Sequence, residues 1–280
     1  MSVIQPPAGP IPDGNPFATG RHGQVSDLLA RYLDAVARRP DMLRAHAVAT
    51  AMMRLGPGVR VLDAGCGTGA ATAELVAAVL PDGSVVGVDV SPDFLAVARR
   101  RLDPTLPLRF QEGDVTALPF ADGEFDVVRA ERVLQHLDDP ASAVAEMTRV
   151  LVPGGRLCVL DSEWASLAVD VGEEHVALVD RVIGHFLGES SHARTGRALR
   201  RTLRRGGLTD VDVQVVPFTF TSLADVAGIF PQFDETIPAE ARLVPVADRD
   251  AWFAALHTAD AAGELWVCAL SYVACGSTPA

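Results

Sequence analysis

The sequence predicts an α/β fold built on a mostly parallel sheet. Two observations predict it. From residue 59 to 161, short apolar runs alternate with amphipathic stretches of helical length. The first of those runs ends in "VLDAGCGTG" (residues 61–69), a glycine-rich turn at a strand-to-helix junction.

The elements follow in order. Residues 1–23 begin with five prolines and three glycines in the first twenty positions and are expected to be a flexible tail or lid. Residues 24–56 carry two amphipathic helices, with Leu29, Tyr32, Leu33 and Val36 on one and Met42, Leu43, Ala47 and Met52 on the other. A core at 57–162 then reads strand "VRVLDA", helix "GAATAELVAAVL", strand "SVVGVDV" and helix "SPDFLAVARRRL", where Ser91 and Pro92 mark an N-terminus. It continues with "LPLRFQEGD", "FDVVRAE", a helix over about 140–151 and a fifth strand "GRLCVLD". Residues 163–263 lose this rhythm and form a cap holding helices near 173–188 and 194–206 and the sixth strand "VDVQVVPFTF". Residues 264–280 supply a final strand, "LWVCALSYVA", and a tail.

Composition removes whole classes of function. A net charge of −12 argues against a nucleic-acid partner or a broad anionic-membrane surface. The basic run "RALRRTLRR" (197–205) has helical spacing and reads as a solvated helix face. Cys66, Cys158, Cys268 and Cys275 show no CxxC pairing, and the seven histidines show no metal-ligand spacing, so no metal is expected. With no leader-like or membrane-spanning apolar stretch, the expected compartment is the cytoplasm.

Gly65, Gly67 and Gly69 leave backbone bare where a ligand can approach and a helix offers free N–H groups. They do not name the ligand, because Gly65, Gly67 and Ala70 also satisfy the dinucleotide pattern. Asp89 closes the second strand, where a carboxylate accepts from ribose hydroxyls of either ligand type. Asp114 follows the third strand, available to an exocyclic amine or to a turn. Asp63, inside the first strand, favours a cofactor bearing an ammonium group and would repel a pyrophosphate.

"VLDAGCGTG", "VVGVDVS", "EGDVTALPF", "FDVVRAERVLQHLDDP" and "LVPGGRLCVLD", in that order and spacing, resemble the successive motifs of the class I S-adenosylmethionine-dependent methyltransferases. The ubiquinone and menaquinone biosynthesis type and its small-molecule tailoring relatives are the most similar. The resemblance spans 24–217 and is densest over 59–161. It implies a Rossmann-like seven-stranded sheet, helices on both faces and an antiparallel last strand. It implies S-adenosylmethionine as cofactor, with Gly65, Gly67 and Gly69 at the methionine and ribose, Asp89 at the ribose hydroxyls, Asp114 and the Val115 backbone at the adenine, and Asp63 and Val90 also in the cofactor-binding set. Glu131 falls at the methionyl end, largely through its backbone.

Methyl transfer from a sulfonium asks the protein to align donor and nucleophile and to accept a proton where the nucleophile carries one. His136, past the fourth strand, is the candidate base, with Asp161 and Glu163 as alternatives at the end of the fifth. Trp164, Phe186, Phe230, Phe233, Trp252 and Phe253 either line an acceptor pocket or form the core of the cap. The expected activity is methylation of a small, partly hydrophobic acceptor, a secondary metabolite or quinone-like molecule. A cyclase or hydratase on the same fold is the alternative reading, and a non-catalytic cofactor binder a third. Acceptor, methylated element and oligomeric state are left open.

Overall fold

The computed structural model describes residues 27–190, 192–237 and 243–280. The expected tail at 1–23 lies outside the described residues. Two helices come first, α1 (Asp27–Ala37) and α2 (Pro40–Met53). The alternating core follows as β1 (Arg60–Ala64), α3 (Thr72–Val79), β2 (Ser84–Asp89), α4 (Pro92–Arg101), β3 (Leu108–Glu112), β4 (Phe125–Glu131) and α5 (Pro140–Arg149). Then come β5 (Leu151–Asp170), α6 (Val176–Glu189), α7 (Thr195–Arg205), β6 (Thr209–Phe220), α8 (Leu223–Ala227), α9 (Arg249–Ala262) and β7 (Trp266–Ser277).

The strands form one seven-stranded sheet in the order β3-β2-β1-β4-β5-β7-β6. The pairs β1–β2, β1–β4, β2–β3 and β4–β5 are parallel. The pairing of β7 runs the other way: Gly154 N–H donates to Pro279 O while Thr278 N–H donates to Gly155 O, so one index rises as the other falls. Helices start where their sequences provide caps. Ser91 Oγ accepts from Phe94 N–H ahead of α4, and the Asp139 carboxylate accepts from Ala141 and Ser142 N–H ahead of α5.

The chain divides into two compact units. Of the described residues, one contains 27–162, 195–216 and 271–280; the other contains those within 163–194 and 217–270. Helix α7, read from sequence as part of the cap, therefore groups with the parallel core, where Leu199 and Leu203 join the cluster of Leu134, Val144 and Met147. Its arginines face outward. Strand β5 reaches Asp170, well past the expected end at Asp161. Strand β7 lies beside β5 in the sheet, and two further hydrogen bonds reach the extension: Ala165 N–H donates to Ala193 O, and Leu270 N–H to Ser166 Oγ. Among the described residues no helix is long and apolar enough to cross a membrane, and no group of three or more His, Cys, Asp or Glu could hold a metal ion.

Candidate functional site

The glycine loop is built as its composition requires. Gly65, Gly67 and Gly69 all have positive φ, at 75°, 53° and 71°. A Cβ on Gly65 would collide with Val133 Cγ2, and one on Gly69 would lie 3.1 Å from Ala98 Cβ and 3.3 Å from Phe110 Cζ. Around Gly67 there is open space, with Leu33 at 4.0 Å. Two of the glycines thus serve close packing, and the middle one leaves its backbone approachable.

Asp89 is buried at the end of β2 and braces this loop. One carboxylate oxygen accepts from Gly67 N–H at 2.8 Å and the other from Ser91 N–H at 2.9 Å. Burial raises its pKa above the ordinary value, and those two N–H groups oppose the rise. Each oxygen keeps a lone pair, so the group can still accept from ribose hydroxyls. Val90 follows directly and is half-buried. Asp114 uses Oδ1 for its own turn, accepting from Thr116 N–H at 2.8 Å and Thr116 Oγ1–H at 2.7 Å. Its second oxygen has no part in that turn, and Val115 beside it is buried.

Asp63 is not a free acid. It is 3% exposed, accepts from Thr72 Oγ1–H at 2.7 Å and faces Arg129 Nη1 at 3.4 Å. Arg129 lies directly opposite it on β4 and also pairs with Glu131. Glu131 in turn meets His46 Nε2 from α2 at 2.9 Å, and His46 Nδ1 faces Glu74 at 3.5 Å. Sequence reading missed Arg129 and His46. Arg129 did carry a signal, since an arginine inside the apolar strand "FDVVRAE" must find a buried carboxylate. Burial first, then the Arg129 charge, push the His46 pKa down to about 4, against the pull of Glu74 and Asp63. His46 is therefore neutral at pH 7. Asp63 and Glu131 set two carboxylates against the one guanidinium of Arg129. The loop suits a cationic ligand and disfavours a pyrophosphate.

His136 ends a 3-10 turn (Leu134–His136) after β4. Gln135 Oε1 accepts from Ser162 N–H at 2.9 Å, which turns its amide NH2 toward His136 Nε2 at 3.1 Å. Assigned this way, a neutral His136 offers its Nε2 lone pair to Gln135 and keeps its proton on Nδ1. Asp161 is fully buried at the same strand ends, and neither of its oxygens makes a hydrogen bond of ordinary geometry. Burial pushes its pKa up to about 8, opposed by the backbone N–H groups of Gln135, Leu134 and Val133, so it is largely protonated at neutral pH. Glu163, also fully buried, belongs to the other unit. There, Phe230, Phe233, Trp252 and Phe253 are core residues, while Trp164 and Phe186 are half-buried.

A family model described as a methyltransferase domain matches residues 62–159. A demethylmenaquinone methyltransferase of Bacillus mycoides is 31% identical over 198 residues, covering 65% of this chain and 82% of that protein. The chain belongs to the class I S-adenosylmethionine-dependent methyltransferases. Its relatives place it with the ubiquinone and menaquinone type, and S-adenosylmethionine is the cofactor of the family. An uncharacterized 37.1 kDa transposon protein of Streptomyces fradiae is 40% identical over 146 residues, covering 52% of this chain and 42% of that protein. The chain spans about half the length of the first curated relatives it matches. In fold it is similar to a solved Bacillus halodurans chain, with TM-score 0.59 and 20% identity over 85% of this chain and 100% of that one. The [4+2]-cyclase SpnF shares the fold at TM-score 0.52 and 24% identity, covering 92% of this chain and 94% of the cyclase.

Proposed function

We propose that the protein transfers a methyl group from S-adenosylmethionine to a small, partly hydrophobic acceptor. The observation that carries this reading is the excess of buried carboxylate over cation around an open glycine backbone. The cofactor supplies a methyl group already activated on a sulfonium. Gly67 lets it approach the loop, and Asp89 accepts from its ribose hydroxyls. The free oxygen of Asp114 and the Val115 backbone meet the adenine. The Glu131 backbone lines the methionyl end, with its side chain turned to His46. Asp63 acts through charge rather than contact, since Arg129 and Thr72 already engage it.

His136 takes the acceptor proton at Nε2 where the nucleophile has one, its lone pair passing from the Gln135 amide to that proton, and Asp161 steadies the turn that carries it. Loss of His136 therefore reads out in chemistry more than in binding. His136→Gln should lower turnover by about 10²–10⁴ while leaving affinity for S-adenosylhomocysteine within a few fold. Near-normal turnover with an unchanged pH profile would remove His136 from the proton path. The acidic surface and the free thiols fit a small-molecule enzyme of the cytoplasm.

The reading is tested by incubating the protein with methyl-labelled cofactor and a panel of phenols, quinols and amines. Label should move into an extractable product. Methyl transfer has to be measured, because a cyclase shares this fold. Tight cofactor binding with label that never leaves, alongside acceptor conversion, would establish the cyclase-type alternative instead.

A further inference from the structure

Among the described residues of the unit that holds 163–194 and 217–270, one buried side chain is unaccounted for. Gln232 lies in the 3-10 turn Pro231–Phe233 and is 1% exposed. Neither its Nε2 nor its Oε1 has a hydrogen-bond partner. The turn does not need the carboxamide. Its main chain is secured by Trp252 Nε1–H, which donates to Gln232 O at 2.9 Å, and by Phe233 N–H, which donates to Phe230 O at 3.0 Å.

The setting is aromatic. Phe230 meets Trp164, Phe220 and Phe233 edge-on, with ring centroids 5.3, 5.6 and 6.2 Å away, and Phe233 meets Trp252 at 5.5 Å. Within this chain of rings only Trp164 is partly exposed. A buried amide with donor and acceptor both unpaired is costly, and an apolar side chain of the same shape would avoid that cost. Native interiors leave few such groups, and each calls for an explanation.

We propose that Gln232 and the surrounding rings bind a neutral, flat aromatic molecule whose edge carries a hydrogen-bond donor beside an acceptor, as a lactam or hydroxy-carbonyl does. A carboxamide presents N–H and C=O side by side in one plane, the geometry with which glutamine reads a donor–acceptor edge in two bonds. The rings supply stacking and edge contacts for a flat body. The five rings themselves carry no charge, which suits a neutral molecule, because a buried unpaired charge costs far more than a paired amide gains. Trp164, the ring of this set with exposed surface, is where such a ligand would enter. Identifying this ligand with the methyl acceptor rests on the proposed function; the site itself does not.

Two probes of matched shape test it on the full chain: 2-quinolone, whose lactam edge offers N–H beside C=O, and naphthalene, which has neither. By ligand-observed NMR titration the wild-type protein should bind 2-quinolone about tenfold more tightly than naphthalene. Gln232→Met keeps the unbranched shape and removes both polar atoms. It should bring the two affinities within about twofold and raise the unliganded midpoint by about 2–4 °C. A wild-type protein that binds the probes equally, or binds neither, overturns the proposal whether or not the variant folds. A lower midpoint in Gln232→Met also overturns it, because the carboxamide is then satisfied by internal water. Affinity for S-adenosylhomocysteine, measured alongside, should not change in the variant. Its absence in the wild type would remove the methyltransferase reading without touching the aromatic site.

Discussion

Arg129 offsets part of the negative charge buried beneath the glycine loop. It lies between Asp63 and Glu131 and is itself only 4% exposed, so its removal would strand two carboxylates away from water. Arg129→Met should cost about 3–5 kcal/mol of stability in urea unfolding. Adding Asp63→Asn should recover part of that loss. An additive double variant would mean the two groups are not coupled. Asp161 and His46 set opposite pH slopes. The unfolded chain gives up the Asp161 proton near 3.8, whereas the folded form holds it to about 8, so this group's contribution falls as pH rises through that window. His46 is protonated below 6.5 when unfolded and below about 4 when folded, so its contribution falls as pH drops from 6.5 to 4. Above pH 6.5, of these two, only Asp161 acts. The stability of Asp161→Asn relative to wild type should increase from pH 6.5 to 8, as urea midpoints at the two values would show. A constant difference would place the Asp161 pKa outside that window.

At the level of elements, the loop after β1 and the turn after β4 are in contact. A Cβ at Gly65 would strike Val133, the residue leading into the 3-10 turn of His136. Gly65→Ala should therefore disturb two elements at once, through the collision and through a left-handed φ of 75° that costs about 1–2 kcal/mol for a residue with a Cβ. Both the thermal midpoint and affinity for S-adenosylhomocysteine should fall. A companion Val133→Ala should restore part of the affinity, since it relieves the collision and leaves the backbone strain. If the companion changes nothing, the two elements are independent.

At the level of the whole molecule, the proposed cofactor residues from Asp63 to Glu131 all belong to one of the two compact units. Ligand binding should stabilise that unit by mass action. With S-adenosylhomocysteine at a hundred times its Kd, the gain should be about 2.7 kcal/mol, visible as a shift of several degrees in calorimetry. NAD at the same concentration should give none, because its pyrophosphate meets net negative charge. If the units melt separately, the transition containing β1 to β4 should be the one that moves. A shift with NAD and none with either adenosyl ligand would overturn the cofactor assignment.

The sequence by itself determined what local rules decide. Glycines at a strand-to-helix turn, Ser91 before Pro92, a carboxylate at the end of β2 and the alternation of periods are all written within a few residues of one another. They were enough for a mostly parallel sheet, its helices and the places of Gly65, Gly67, Gly69 and Asp89 in the fold, whereas the seven strands and the antiparallel last one were implied by the family resemblance. Tertiary structure decided whatever depends on partners distant in the chain. Asp63 reads as a free acid until strand register sets Arg129 opposite it, 66 residues away. His46 reads as one residue of an amphipathic helix until packing brings it to Glu131. Strand β5 outruns its apolar run because its later residues are held by neighbours distant in the chain rather than by their own propensity. Gln232 looks like an ordinary polar turn residue in sequence, and only the closing of aromatic rings around it leaves its amide buried without a partner. Burial and pairing are properties of the packed chain, and they are what turn residue types into charges, proton affinities and sites.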